Sequence, residues 1–165
     1  MKEKLTILIA DIQDDINSIN RIQDEFNSFT KSLSDPPDRY EKMVIGYLMH
    51  NFYNACENIF LNIARVFENN IEPQAWHKSI LKRMKLTIKD IRPAVINEKL
   101  YKQLNDFRAF RHVFRHLYSD ELDWEKERLL VNKFNNTVST FIEELNEFIN
   151  FLEQLITQND EGKME

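Results

Sequence analysis

The sequence predicts an all-α protein, an up-and-down bundle of about five helices, and three observations carry that expectation. Two glycines and four prolines in 165 residues leave little turn chemistry for a β-rich fold. Apolar residues recur at steps of three and four along most of the chain, the period of a helix with one buried face. The breaks between those runs are short, so helices of about thirty residues, each spanning roughly 45 Å, must return antiparallel to one another. A chain of this length builds one hydrophobic core rather than two. Residues 1–158 are therefore read as a single helical domain and 159–165 as a disordered tail.

In the first helix Leu5, Ile9, Ile12, Ile16, Ile19, Phe26 and Leu33 form the stripe, with Gln23 in one core slot. Pro36 and Pro37 end it, since neither can donate a backbone hydrogen bond and each disfavours helix in the residue before it. A second helix over 39–68 carries Val44, Leu48, Phe52, Ala55, Ile59, Ile63 and Val66, with Gly46 as a weak point. Asn69 and Asn70 close it. Pro73 suits the first turn of a third, shorter helix reaching Ile88. Past Pro93 a fourth presents Leu100, Leu104, Phe107, Phe110, Phe114 and Leu117. Asp123 caps the last, whose stripe is Phe134, Val138, Phe141, Leu145, Phe148, Leu152 and Leu155. The first and last stripes could also seat a coiled-coil partner, but packing within one bundle is the commoner use of such a stripe.

Charge narrows the function classes. Twenty-two basic against 27 acidic residues give a net charge of −5, so there is no global basic field and any nucleic-acid contact rests on a local patch. Cys56 is the single cysteine, which rules out an internal disulfide or a multi-cysteine zinc site, and its apolar setting predicts a buried thiol. The apolar run from Leu5 to Ala10 is cut by Asp11, too early for a signal peptide, and no run approaches the ~18 apolar residues of a membrane span. A cytoplasmic protein without membrane contact is expected.

The chemistry concentrates in FRAFRHVFRHLYS, residues 107–119, which holds Arg108, Arg111, Arg115, His112 and His116 without one acid. On a helix Phe107, Phe110, Phe114 and Leu117 share a face, Arg108, Arg111, Arg115 and Tyr118 lie on the adjoining one, and His112 and His116 lie further round. Read blandly, this is a solvated basic face over a core of aromatics. An Arg followed by a His at such a spacing arises readily by chance, so spacing alone settles nothing.

The longer string from Arg111 to Tyr118, RHVFRHLY, resembles the R-x4-6-H motif of HEPN domains in the R-x4-H-x-Y form of HepT-like toxins. His112 suits the position after the arginine. The continuation over 119–126 and the upstream stretches at 50–54 and 57–60 are similar to the same family, and the resemblance extends over about 39–155. It implies a HEPN-like homodimeric bundle acting as the toxin of a toxin–antitoxin pair. It also implies a metal-independent endoribonuclease without a cofactor, in which the RNA's own 2′-hydroxyl is the nucleophile. Its partners would be RNA and an MNT-type nucleotidyltransferase antitoxin, which attaches AMP to the tyrosine matched by Tyr118.

The residue chemistry fits those roles. An imidazole titrating near neutral pH, at about 6.5, moves protons, which His116 would do. Arg111 is a permanent cation for phosphorane charge, and His112, Arg115 and Arg108 are auxiliary. The segment has no carboxylate cluster for magnesium. Tyr118, seven residues after Arg111 and three after Arg115, would place an attached AMP against both guanidinium groups.

Five residues of straight helix, however, set Arg111 and His116 about 140° apart. Either the helix ends or bends near His116, or a two-fold partner brings a second copy of the motif across a cleft, and the dimer is the favoured expectation. His112 and His116 could chelate zinc, but no HExxH glutamate or third ligand accompanies them. His50 and His77 are read as structural or exposed, Ser119 as a cap or turn residue, and Trp76 and His77 as possible walls of the cleft. The alternative function is a catalytically inactive HEPN-like bundle that binds a nucleotide or protein; Arg111, His116 and Tyr118 show no sign of that loss.

Overall fold

The computed structural model describes residues 2–68, 76–116 and 122–161, and the side chains of all these but 76–78 and 159–161. Among them are five helices: α1 (Lys2–Thr30), α2 (Arg39–Phe67), α3 (Trp76–Met84), α4 (Glu98–Arg115) and α5 (Trp124–Glu161). The all-α class and the helix count are as expected. The only extended pairing among these residues is a single bridge between Ile88 and Arg92. No helix among them is long and apolar enough to cross a membrane.

The entry to α2 is set by reciprocal capping. The Asp38 carboxylate accepts from the Glu41 amide at 2.9 Å, and the Glu41 carboxylate accepts from the Asp38 amide at 2.8 Å. Glu41 also receives the amide and hydroxyl of Ser34, each at 3.0 Å, which ties the proline-containing connection to the helix.

α2 touches all four other helices, and this explains a departure from the expected stripe. Its buried residues include Ile45, Leu48, Met49, Phe52, Tyr53, Cys56, Ile59, Phe60, Ile63 and Ala64, a band too wide for one face. Val44, expected inside, is exposed. Cys56 is buried as expected, and burial pushes its thiol well above the usual range. Phe52 meets Phe107, Phe134 and Phe141 edge-on at 5.4, 5.2 and 6.4 Å, and Phe26 stacks on Phe134 at 4.0 Å. These rings join α1, α2, α4 and α5 in one knot.

The third helix stops at Met84 rather than Ile88, and Arg92 is the reason. Its buried guanidinium donates to the carbonyls of Arg83 (3.3 Å), Leu86 (3.2 Å) and Pro93 (3.1 Å), and to Glu68 Oε1 at 2.8 Å. Those carbonyls are satisfied outside a helix, and the chain reverses through Asp90 at φ 60, a left-handed conformation that Asp tolerates. The expected start of this helix lies outside the described residues.

At α4 Asn97 accepts from the Leu100 amide at 2.8 Å as N-cap. Asp123 caps α5 as expected, its side chain accepting from the Glu125 amide at 3.2 Å. α5 remains helical to Glu161, and 162–165, most of the expected tail, lie outside the described residues.

Candidate functional site

The C-terminal half of α4 lies along α2 over one polar row. Gly46, His50, Asn54 and Glu57 follow at four, four and three residues, so they share a face. Gly46 opens the row because Phe114 lies close above it. A Cβ there would stand 2.7 Å from Phe114 Cε2 and 3.3 Å from Glu127 Oε1. We expect Gly46→Ala to destabilise the protein by about 1 kcal/mol, since the overlap outweighs alanine's better helix propensity. In a Phe114→Ala background the same change should become stabilising, and urea unfolding of the four proteins measures that reversal.

Arg111 is where the solvated-face reading fails. Its side chain is buried, with Nη1 donating to Asn54 Oδ1 at 2.9 Å and Glu57 Oε1 at 3.0 Å, and Nη2 to Glu57 Oε2 at 2.7 Å. This is a bidentate, charge-assisted pair with the amide as a third anchor. The guanidinium carbon also sits 4.7 Å over the Tyr53 ring. Burial, with Glu57 nearby, pushes the Tyr53 hydroxyl well above its usual range.

The other cations of the motif behave differently. Arg108 is half-buried and donates from Nε to Asn105 Oδ1 at 2.9 Å. Arg115, His112 and His116 are exposed, the two imidazoles meeting edge-on at 4.9 Å. α4 ends at Arg115, and His116 occupies the C-cap at φ −107, ψ 8, its amide bonded to the Val113 carbonyl. Of the two ways round the 140° difficulty, the helix end is therefore present within one chain. Tyr118 and Ser119 lie outside the described residues, as do the side chains of Trp76 and His77. No third ligand joins His112 and His116 among the described residues.

Three residues that the spacing argument did not assign belong to this site. His50, expected to be isolated, is half-buried with its ring 5.6 Å from Phe114. Because Asn54 turns its oxygen to Arg111, its amide nitrogen faces His50, 3.1 Å from Nδ1 and 3.5 Å from Nε2. Burial lowers the His50 pKa, and the Arg115 and Arg111 charges lower it further. The available signal was Glu57, the sole acid between Glu41 and Glu68 on a strongly apolar helix, with Asn54 and His50 on its face.

A second acid, Glu127, reaches the same row at Gly46. Glu127 is 1% exposed and neither carboxyl oxygen has a hydrogen-bond partner. Burial, partly offset by Lys42, pushes its pKa up to about 8, so it is mostly protonated at neutral pH. Beside the site the polar row continues into exposed apolar residues of α2, Tyr40, Met43 and Tyr47, and Val113 of α4 is exposed as well.

A family model described as HepT-like protein matches residues 44–152, the span that contains Gly46, His50, Asn54, Glu57, the motif on α4 and Glu127. No significant match was found among curated proteins or among solved structures.

Proposed function

This chain belongs to the HepT-like protein family, and on that premise we propose that it is the toxin of a HEPN/MNT-type toxin–antitoxin pair, a metal-independent endoribonuclease. The observation that carries the reading is the buried Arg111–Glu57 pair. An apolar pair of similar volume would hold α2 to α4 at least as well, so stability alone does not call for buried charges here. Their effect is to orient a cation at the base of the exposed Arg115 and His116 end of α4.

In the proposed reaction the 2′-oxygen forms a bond to phosphorus as the bond to the 5′-oxygen breaks. This leaves a 2′,3′-cyclic phosphate and a 5′-hydroxyl. His116 transfers protons, and its exposure at the helix end lets RNA reach it. Arg111 faces the charge that develops on phosphorus: Glu57 and Asn54 engage three of its five N–H donors, and its planar cation is held in place. Arg115 adds charge at the surface, with His112 and Arg108 as auxiliary groups.

A second protomer would bring another copy of these residues to the cleft. The exposed Tyr40, Met43 and Tyr47 beside the site fit burial by such a partner. Adenylylation of Tyr118 by a nucleotidyltransferase antitoxin would place an anion among these cations and switch the toxin off. The setting proposed for all of this is the cytoplasm. One observation favours an inactive binding module instead: Glu57 offsets the Arg111 charge within the chain.

Expression of wild type and His116→Ala separates the two. Wild type should arrest growth and, when purified, cleave RNA in the presence of a chelator to cyclic-phosphate ends. His116→Ala should be slower by about 10²–10⁴-fold with an unchanged melting temperature, because the residue is exposed. A harmless wild type that leaves RNA intact without its antitoxin ends the ribonuclease reading. Mass spectrometry after co-expression with the antitoxin tests Tyr118, which should gain one AMP.

A further inference from the structure

We infer that His50 of α2 is a second proton-transfer group of this site, the base that takes the 2′-hydroxyl proton while His116 protonates the leaving 5′-oxygen. The inference rests on the ribonuclease reading above. Cleavage by 2′-oxygen attack requires one proton to be removed and another delivered, and two groups of opposite protonation state serve that best.

The placement supports it. His50 stands on the row that receives Arg111, and its ring contacts Phe114, two residues before His116. It is therefore turned toward the end of α4 that carries the other reacting groups. Half-buried against Phe114 and Asn54, it is held more firmly than exposed His112 and His116, yet keeps an open edge.

The surroundings determine its protonation state. From α4 it faces the cations Arg111 and Arg115. From α2 it meets the Asn54 amide nitrogen, while Glu57 is engaged by Arg111 and Tyr53 keeps its proton. From α5 the acid that reaches this row, at Gly46, is Glu127, largely neutral at pH 7. With no anion left to favour imidazolium, the ring stays neutral, in agreement with its lowered pKa. The neutral ring keeps one lone pair: Nδ1 lies 3.3 Å from Asn51 Oδ1 and 3.1 Å from the Asn54 amide nitrogen, and the tautomer sets which ring nitrogen carries it. Glu57 is unsuited to be the base, because both its oxygens are taken by Arg111.

The step balances without a further reactant. The unprotonated ring nitrogen of His50 takes the 2′-hydroxyl proton as the oxygen–phosphorus bond forms, the bond to the 5′-oxygen breaks, and protonated His116 supplies that oxygen's proton. Exchange with water restores both imidazoles.

The test measures kcat and KM against pH for wild type, His50→Ala and His50→Gln on a short RNA, with thermal melts alongside. The expected result is a kcat lower by about 10²–10³-fold in both variants, with KM changed by less than about threefold. The limb that rises at acidic pH should vanish in both, the alkaline limb should persist, and added imidazole should restore part of the rate to His50→Ala. His50→Gln keeps a polar group beside Asn54, so it decides the matter if His50→Ala melts early. Near-wild-type kcat in His50→Gln overturns the inference, as does a slowed variant that keeps the acidic limb. Wild type that leaves RNA intact overturns the ribonuclease reading and this inference with it, whereas active wild type with an unaffected variant overturns this one alone.

Discussion

Replacing Glu57 by alanine should destabilise the bundle by about 3–5 kcal/mol, the largest effect expected of any single polar substitution in this protein. The change leaves the Arg111 guanidinium buried between α2 and α4 with only Asn54 as a fixed acceptor. An unpaired charge in that position either stays desolvated or pulls α4 away to reach water, and both outcomes weaken the packing around Phe107 and Phe114. Removing both charges together should behave differently. Glu57→Leu combined with Arg111→Met should unfold within about 1 kcal/mol of wild type, or above it, because apolar side chains of similar volume fill the site without a desolvation cost.

Urea unfolding of the two single variants and the double variant gives the coupling directly. A loss below about 1 kcal/mol in Glu57→Ala would show that water already screens the pair. The functional consequence is separable from the structural one. On the proposed ribonuclease reading, the double variant should be folded and inactive on RNA, since it lacks the cation proposed to face phosphorus.

Stability should also depend on pH through Glu127, in the opposite sense to an ordinary acid. Its folded-state pKa is about 8, and an unfolded glutamate titrates near 4.5. Between those values the folded protein keeps a proton that the unfolded chain has lost. The contribution of Glu127 is therefore fully present below about pH 4.5 and is lost as pH rises to about 8. Glutamine retains the shape and cannot ionise. Glu127→Gln should match wild type near pH 4 and become progressively more stable than wild type toward pH 8, with a slope approaching about 1.4 kcal/mol per pH unit. Urea midpoints of the pair at several pH values test this, and a constant difference between them would mean that the carboxyl ionises normally. Using the difference between the two proteins also cancels the surface carboxylates Glu41 and Glu98, whose pKa values are lowered by hydrogen bonds.

Much of the fold was legible because amphipathic periodicity is local. The stripes of α1 and α5 correspond to buried residues nearly position by position, since each helix offers one face to the bundle. The α2 stripe was less informative. A helix with neighbours on most sides buries residues that a single-face pattern leaves out, Tyr53 and Phe60 among them. The end of α3 was misjudged for a different reason: Arg92, eight residues beyond Met84, supplies the hydrogen bonds that stop the helix, and periodicity carries no trace of it.

By itself, then, the sequence determined the helix class, the order of the helices and the stretch in which Arg111 and His116 stand. Each of these follows from residues close in the chain, or from an unbroken motif. Only the tertiary structure decided that Arg111 is a buried member of an ion pair, because Glu57 lies 54 residues away and pairing at that separation leaves no periodic mark. The same physical reason holds for His50, which reads as an isolated histidine until α4 sets Phe114 and two arginines against it.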